Sequence, residues 1–332
     1  MKDLKQKFLH DLDIIHPIIM APMFLVSNEY MMKSAIDNGV MGVFPSLNYR
    51  SDEDFSQVIK DLSLYKNDKT GNYGVNLIVQ QSNIYYKKHL KICIDNKVPF
   101  YITSLGNPSE VINAAHSYGA KVYCDVINLK HAQKCFELGC DGFIVVGQGA
   151  GGHAGPHPLH VLIPLLRKQF PNFPIVAAGG IAEGSAMLSL EVVGAVGVSI
   201  GTRFIASTEA SVNDGYKNGI INSGVEDIVM TEKLSGTRCS VINTDAVKKM
   251  GYKQTWFDKL MRKNKKIKKY YTMFIQVKGM KKLEKSATNK GSYDELWCAG
   301  KSSALINDIL PCKQIIERLL AEYEEAKVMI NK

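Results

Sequence analysis

The chain has 332 residues, of which 45% are hydrophobic and 22% charged, and its formal net charge is +9. This length and composition predict a globular chain of enzyme size, folded as one large domain or two modest ones. No apolar stretch reaches about 18 residues, which excludes a transmembrane helix. The charged segment 1–13 lacks the apolar region of a secretory signal.

Cysteines and charge limit the partners of the chain. The seven cysteines form no C-x-x-C pair, and several lie within apolar runs. They predict reduced core thiols in a cytoplasmic protein without a structural metal. Much of the excess positive charge falls in the lysine-rich segment 259–285, which we interpret as a solvated surface; a patch for an acidic partner is the alternative. We expect neither nucleic acid nor a membrane as partner.

Short apolar runs bounded by turn residues alternate with segments of helical periodicity, which predicts repeated βα units on a parallel sheet. Eight strands are predicted, at residues 17–20, 42–45, 73–78, 100–103, 121–125, 142–146, 175–178 and 195–200. Helices are predicted between them at residues 29–38, 51–64, 109–118, 129–138, 160–169 and 184–193. Several of these helices end at a glycine, as helices commonly do.

Such units fit an α/β fold of the (β/α)8 TIM-barrel type better than an open sheet, although periodicity alone does not exclude a doubly wound sheet. The pattern breaks after about residue 223. We therefore expect the barrel in residues 1–223 and a smaller C-terminal helical subdomain in residues 224–332. This subdomain is expected to be irregular through Gly251, to end in a helix near 312–327 and to pack on the barrel near its mouth.

Glycine-rich loops follow the seventh and eighth predicted strands, where barrels of this kind often hold a phosphate group. Gly179 and Gly180 follow the seventh strand, and Gly201 and Thr202 follow the eighth. Glycines allow main-chain N–H groups to approach an anion, and Thr202 adds a hydroxyl donor. The alternative is that these glycines only form tight turns between strand and helix.

Three further strand ends carry candidate residues. Ala21 and Met23 follow the first strand in an apolar segment suited to lie against a flat ring, with the main chain contacting ring heteroatoms; an ordinary buried strand is the alternative. Asn76 lies in the third strand among apolar neighbours, so its amide needs hydrogen-bond partners if it is buried. Asp125 ends the fifth strand, and either it lies at a wet or liganded mouth or it caps the helix that begins near Asn128.

The segment 147–155 combines five glycines with His153, directly after the sixth strand. It also satisfies G-x-G-x-x-G, but Pro156 and Pro158 interrupt the helix that a dinucleotide site needs, and no acid follows at the required distance. We therefore interpret His153 as a reacting group at the barrel mouth, since histidine titrates near neutral pH. The same prolines make a zinc site with His157 and His160 a poor expectation, and no metal site is predicted.

Taken in order, these motifs resemble the nitronate monooxygenase family, formerly the 2-nitropropane dioxygenases, whose members are FMN-binding TIM barrels. The resemblance runs from residue 17 to the segment Leu296-Trp297-Cys298-Ala299-Gly300-Lys301, which looks like the family's W-x-A-G-Q segment. It implies that FMN is bound, with the phosphate near Gly180, Gly201 and Thr202. The residues implied to bind the cofactor are Asn76, Gly151, Gly180, Ser199, Ile200, Gly201 and Thr202.

The resemblance also implies an activity, in which nitronates or nitroalkanes are oxidised with O2 to carbonyl compounds and nitrite. His153 is then the active-site histidine, which takes the proton from the carbon next to a nitro group. The chain departs from the family at Val146, where many members have glutamine, and this departure bears on the substrate.

Two alternatives remain. The same fold and Gly-Gly-His segment occur in FMN-dependent enoyl-acyl-carrier-protein reductases, which use NAD(P)H and an acidic carrier protein that segment 259–285 would suit; an NAD(P)H:quinone reductase is a related possibility. A barrel without catalytic activity would leave His153 and both glycine loops without a role.

Overall fold

Eight parallel strands close into a barrel in the computed structural model, which describes residues 1–80, 82–234, 236–256, 271, 279 and 296–330. The strands in chain order are β1 (Ile18–Met20), β2 (Met41–Pro45), β3 (Asn72–Ile78), β4 (Phe100–Ser104), β5 (Lys121–Val126), β6 (Gly142–Val146), β7 (Gly152–His153), β8 (Ile175–Ala178) and β9 (Gly197–Ile200). All except β7 belong to the barrel, which closes where Ile19 of β1 pairs with Ser199 of β9. The predicted (β/α)8 fold is confirmed.

The described residues form twelve helices, most of which lie around the barrel. They are α1 (Lys2–Leu12), α2 (Glu29–Asp37), α3 (Asp52–Lys66), α4 (Tyr86–Asp95), α5 (Ser109–His116), α6 (Leu129–Glu137), α7 (Leu159–Gln169), α8 (Gly184–Val192), α9 (Thr202–Ile205), α10 (Asp214–Ile221), α11 (Asp245–Met250) and α12 (Cys312–Ile330). The six predicted helices are present with small shifts at their ends. Five others were not predicted: α1 and α4 each bury only two or three side chains, and α9, α10 and α11 have eight residues or fewer.

Helix α1 closes the N-terminal end of the barrel. Phe8 is fully buried in the inner core together with Ile19, Val43 and Tyr123. A Cβ atom on Gly197 would lie 2.9 Å from the Phe8 ring, so β9 needs a glycine where this ring enters. The opposite end, where the strands terminate, is left for loops and ligands.

Helix α12 packs between α8 and α2, where the eighth helix of a barrel belongs. A Cβ atom on Gly184 would lie 2.1 Å from the Tyr323 nitrogen, so the main chains of α8 and α12 are in direct contact. The expected helix near 312–327 is therefore present, and its packing favours counting it with the barrel. A division of the chain at residue 223 remains a proposal.

An antiparallel sheet corrects one expectation for the region after residue 223. Strands β10 (Ile228–Thr231) and β11 (Cys239–Ile242) lie in the stretch expected to be irregular, and β11 pairs with β7. These strands have four residues each, and the pairing joins distant parts of the chain, so local periodicity did not reveal them. The lysine-rich segment 259–285 lies outside the described residues apart from positions 271 and 279.

The structure also shows the state of the cysteines, whether any helix could span a membrane and whether side chains could together bind a metal ion. All seven cysteines are free thiols, and five of them are buried: Cys93, Cys124, Cys140, Cys239 and Cys312. Among the helices of the described residues, none is long and apolar enough to cross a membrane. The described residues also contain no group of three or more His, Cys, Asp or Glu side chains placed to hold a metal ion.

Candidate functional site

The candidate residues predicted from the sequence gather at one end of the barrel, because the C-terminal ends of parallel strands face the same way. They belong to the ends of six strands or to the loops that follow: Ala21 and Met23 after β1, Asn76 in β3, Asp125 in β5, Gly151 and His153 after β6, Gly179 and Gly180 after β8, and Ser199, Ile200, Gly201 and Thr202 in or after β9.

The loops after β8 and β9 lie side by side, since Ala178 pairs with Ser199. Gly179 and Gly180 have φ angles of 109° and 78°, a conformation that residues with a side chain rarely adopt. Within the described part of the chain, four main-chain N–H groups of these loops donate to no protein acceptor: those of Gly179, Gly180, Gly201 and Thr202. Adjacent unused donors of this kind form a cradle for an anion such as a phosphate group.

Thr202 is oriented by the segment that contains Gly300. The Gly300 N–H donates to Thr202 Oγ1 at 3.0 Å. Because a hydroxyl oxygen that accepts this bond still carries its own hydrogen, Thr202 can donate to a second acceptor. Its side chain therefore adds a fifth donor to the cradle.

The glycine-rich loop after β6 meets the same segment through its main chain. A Cβ atom on Gly151 would lie 2.8 Å from the Gly300 nitrogen, and one on Gly300 would lie 2.4 Å from the Gly149 carbonyl oxygen. A Cβ atom on Gly179 would lie 2.6 Å from the Ala150 nitrogen. Three loops thus approach at distances that only glycine permits, and this contact joins the loop of His153 to the anion cradle.

His153 is held by the small antiparallel sheet rather than by the barrel. It pairs with Cys239 of β11, and the neighbouring Gly152 pairs with Ser240. The side chain is exposed at the mouth, yet the surrounding protein removes enough water to lower the pKa of His153 below its ordinary value of 6.5. At neutral pH the imidazole is therefore uncharged and able to accept a proton.

The segment beside β11 is fixed by an aromatic stack and main-chain hydrogen bonds. The Trp297 ring stacks on Tyr216 with centroids 5.6 Å apart, and the Tyr216 hydroxyl donates to the Cys298 carbonyl at 2.6 Å. The Ala299 N–H donates to the Ser240 carbonyl at 3.3 Å. These contacts place Gly300 against both Gly151 and Thr202.

A polar chain crosses three neighbouring strands on the other side of the mouth. Asn76 Nδ2 donates to Ser104 Oγ at 2.8 Å, and Ser104 Oγ donates to Asp125 Oδ2 at 2.5 Å. Asn76 Nδ2 also donates to the Ile102 carbonyl at 3.1 Å. Since both amide hydrogens are used, the Asn76 oxygen is the atom left to bind a ligand, and it must accept. Asn76 is therefore suited to a ring N–H group.

Asp125 belongs to this network and is not a helix cap. The N-cap of α6 is Asn128, whose side chain accepts the His131 N–H at 2.8 Å. Desolvation raises the pKa of Asp125 to about 6, although the hydrogen bond from Ser104 opposes this rise. Of the two alternatives for Asp125, the structure supports the residue at the mouth.

The segment after β1 offers fewer main-chain donors than the sequence suggested. The Ala21 N–H donates to the Ile200 carbonyl at 2.9 Å, and the Met23 N–H donates to Ser27 Oγ at 2.9 Å. Contact with a ring is therefore left to side chains and carbonyl oxygens here. The Met23 side chain lies near the cradle, since a Cβ atom on Gly201 would be 3.7 Å from Met23 Sδ.

Two candidate residues of β9 differ in what they can contribute. Ile200 is 1% exposed and packs with Met20 against side chains of the surrounding helices, so its side chain does not reach the mouth. Ser199 is buried and pairs with Ile19 and Ala178. The sequence reasoning also missed Ser104, although its two-residue spacing from Ile102 on a strand predicts that both face the barrel interior.

Comparisons with known proteins identify the family of the chain. The model of the family described as "Nitronate monooxygenase" matches residues 50–322. A "(3aS,4S,5R,7aS)-5-hydroxy-7a-methyl-1-oxo-octahydro-1H-indene-4-carboxyl-CoA dehydrogenase" of Rhodococcus jostii is 29% identical over 247 residues, 74% of this chain and 68% of that protein. A "Probable nitronate monooxygenase" of Staphylococcus aureus is 25% identical over 290 residues, 74% of this chain and 80% of that protein.

A solved structure extends the likeness to nearly the whole chain. FabK from Thermotoga maritima has a TM-score of 0.83 and 29% identity, with 98% of each chain covered. The barrel, the glycine loops and the family match together define a (β/α)8 oxidoreductase. The chain belongs to the nitronate monooxygenase family.

The raised pKa of Asp125 predicts a pH-dependent cost to stability. In the folded protein the Asp125 carboxyl group keeps its proton up to about pH 6. Its contribution to the free energy of unfolding is therefore greatest below the ordinary pKa of 3.8 and is lost as the pH rises through 6. Asp125→Asn should therefore become more stable relative to the native protein between pH 5 and pH 8, by about 1.4 kcal/mol. Urea unfolding at both pH values measures this difference.

Asp308→Asn is the matched control with the opposite sign. Desolvation raises the pKa of Asp308, but Arg318 and Arg203 outweigh it, so the pKa is lowered overall. This variant should lose stability relative to the native protein as the pH rises from acid toward neutral. An Asp125→Asn difference that does not change with pH would show that Asp125 is not the titrating group.

Proposed function

We propose that this chain is an FMN-dependent nitronate monooxygenase, which oxidises nitronates, and nitroalkanes after loss of a proton, with O2 to carbonyl compounds and nitrite. The proposal is carried by the anion cradle, whose main-chain donors at Gly180 and Gly201 lie beside the loop that presents His153. A cofactor phosphate and a neutral histidine at one barrel mouth are the parts that this reaction needs. The partners are then a small-molecule substrate and O2, in a cytoplasmic protein.

The residues of the site fit FMN. The phosphate group would be held by the N–H groups of Gly179, Gly180, Gly201 and Thr202, together with the Thr202 hydroxyl. Asn76 would accept from a ring N–H, and Met23 with Ala21 would pack against the ring. Asp125 would influence the ring through Ser104 and Asn76. Bound FMN supplies the electron acceptor for the oxidation.

His153 is the proposed catalytic residue. Because desolvation by the surrounding protein lowers the pKa of His153, a ring nitrogen is unprotonated at neutral pH and takes the proton from the carbon next to a neutral nitro group. A nitronate has already lost that proton, so His153 then only orients it. Gly151 allows the loop to approach Gly300 closely and so keeps His153 close to the cradle.

A second candidate is an FMN- and NAD(P)H-dependent enoyl-acyl-carrier-protein reductase or quinone reductase. The likeness to FabK, at 29% identity over 98% of both chains, supports this second candidate. The acidic carrier protein of this alternative would bind the basic segment 259–285.

Anaerobic mixing distinguishes the two candidates. Purified protein should show flavin absorbance or acquire it when FMN is added. Loss of that absorbance with propionate 3-nitronate, and not with NADH or NADPH, is expected. Rapid reduction by NADH or NADPH alone would favour the reductase, and a protein that binds no FMN would contradict both candidates.

His153→Ala should separate proton removal from the later steps. We expect the variant to retain FMN. Its kcat/KM for neutral nitroethane should fall at least about a hundredfold, which is the range for the loss of a general base. Turnover of ethyl nitronate should fall much less. In the native enzyme, kcat/KM for nitroethane should fall only below pH 6.5, because the pKa of His153 is lowered. Equal losses on both substrates would contradict the role of base.

Thr202→Val tests the phosphate end of the site. Valine keeps the shape but lacks the hydroxyl that accepts from Gly300 and can donate to a phosphate group. The dissociation constant for FMN should rise roughly tenfold, as for the loss of a hydrogen bond to a charged group. Thr202→Ser, which keeps the hydroxyl, is the matched control and should bind FMN nearly as the native protein does. If the Val and Ser variants bound FMN equally well, the Thr202 hydroxyl would have no part in FMN binding.

A further inference from the structure

We infer that Asn48 is a positioning residue for the proposed flavin site, acting through the loop that follows β1. This inference rests on the proposed function, since it concerns the segment that would contact the FMN ring. We call residues 21–28 the β1 loop. Asn48 lies outside it, at the end of the short helical turn Ser46–Asn48 that follows β2.

The β1 loop contains a residue in an unfavourable conformation. Leu25 has a φ angle of 61°, in the left-handed region that residues with a side chain seldom occupy. Its N–H group donates to Asn48 Oδ1 at 2.9 Å. A conformation of this kind persists only where its surroundings enforce it, and this hydrogen bond is one such contact.

The amide nitrogen of Asn48 binds the loop on both sides of Leu25. Asn48 Nδ2 donates to the Ser27 carbonyl at 2.8 Å and to the Met23 carbonyl at 3.3 Å. One side chain thus contacts three main-chain groups within five residues. Asparagine is suited to this role because its amide carries an acceptor and two donors.

The loop transmits this constraint to the residues that would face the ring. Ser27 Oγ accepts the Met23 N–H at 2.9 Å and donates to the Ala21 carbonyl at 3.3 Å. A Cβ atom on Gly201, a residue of the anion cradle, would lie 3.7 Å from Met23 Sδ. The arrangement of Met23 and Ala21 therefore depends on contacts that Asn48 completes.

A second contact joins the same two loops. The Arg50 guanidinium lies over the Phe24 ring at 6.0 Å from its centroid, and over the Tyr85 ring at 5.7 Å. Phe24 belongs to the β1 loop, while Arg50 follows Asn48 by two residues. The segment after β2 thus supports the β1 loop at its main chain and at an aromatic side chain.

Asn48→Ala in the FMN-containing enzyme tests the inference. It removes all three hydrogen bonds, and the dissociation constant for FMN should rise roughly tenfold, with a shifted flavin absorption band. Asn48→Gln keeps the amide acceptor and both donors on a longer side chain, so an intermediate loss is expected. This second variant gives a result if Asn48→Ala does not fold.

Leu25→Gly provides the decisive second substitution. Glycine adopts positive φ angles without penalty, so the loop needs Asn48 less. In the Asn48→Ala background, Leu25→Gly should recover at least about threefold of the lost FMN affinity. If Asn48 only stabilised another part of the fold, Leu25→Gly would not restore FMN affinity.

Asn96→Ala is the matched control at the opposite end of the barrel. Asn96 ends α4, and its Nδ2 donates to the Ile92 carbonyl at 2.8 Å and to Ser56 Oγ at 3.4 Å. This variant should lose stability while its FMN affinity and absorption band stay unchanged. Native-like FMN binding by Asn48→Ala, or no recovery with Leu25→Gly, would overturn the inference. If the native protein binds no FMN, the proposed function fails first and the inference fails with it.

Discussion

The candidate site depends on the main-chain contact between Gly151 and Gly300. Side chains at either position would separate the two segments, since a Cβ atom on Gly300 would lie 2.4 Å from the Gly149 oxygen. The contact orders both neighbours at once, because Gly300 donates to Thr202 and the loop of Gly151 continues into His153. The distance between the proposed base and the anion cradle is therefore set by the backbone, which varies less than flexible side chains do.

One side of the barrel mouth is polar and the other is apolar. Asn76, Ser104 and Asp125 form a hydrogen-bonded chain on three adjacent strands, while Val146 and Ala178 are apolar and pack on the inner core. Asn76 can only accept from a ligand, and the pKa of Asp125 is raised to about 6 by desolvation. A flat heteroaromatic ring with one polar edge matches this division, which supports FMN as the proposed cofactor independently of the glycine loops.

Local patterns in the sequence predicted the barrel well, because each strand is a short apolar run followed by a turn. They also placed the loops at Gly180 and Gly201, since the fold itself brings strand ends together. The pairing of His153 with Cys239 could not be predicted in this way, because 86 residues separate them and both strands are very short. Ser104 and Asn48 were missed for a related reason: their roles lie in hydrogen bonds to other strands and loops, which no motif records.

The anion cradle and His153 belong to different parts of the fold. The anion cradle belongs to β8 and β9, whose positions follow from closure of the barrel. His153 instead lies on a strand whose partner is β11, from the chain between β9 and α12. Changes in that inserted region can move the reacting group without disturbing the cradle. The same barrel can therefore support the different activities named for its relatives, and the specificity of this chain is to be sought in the region after residue 223.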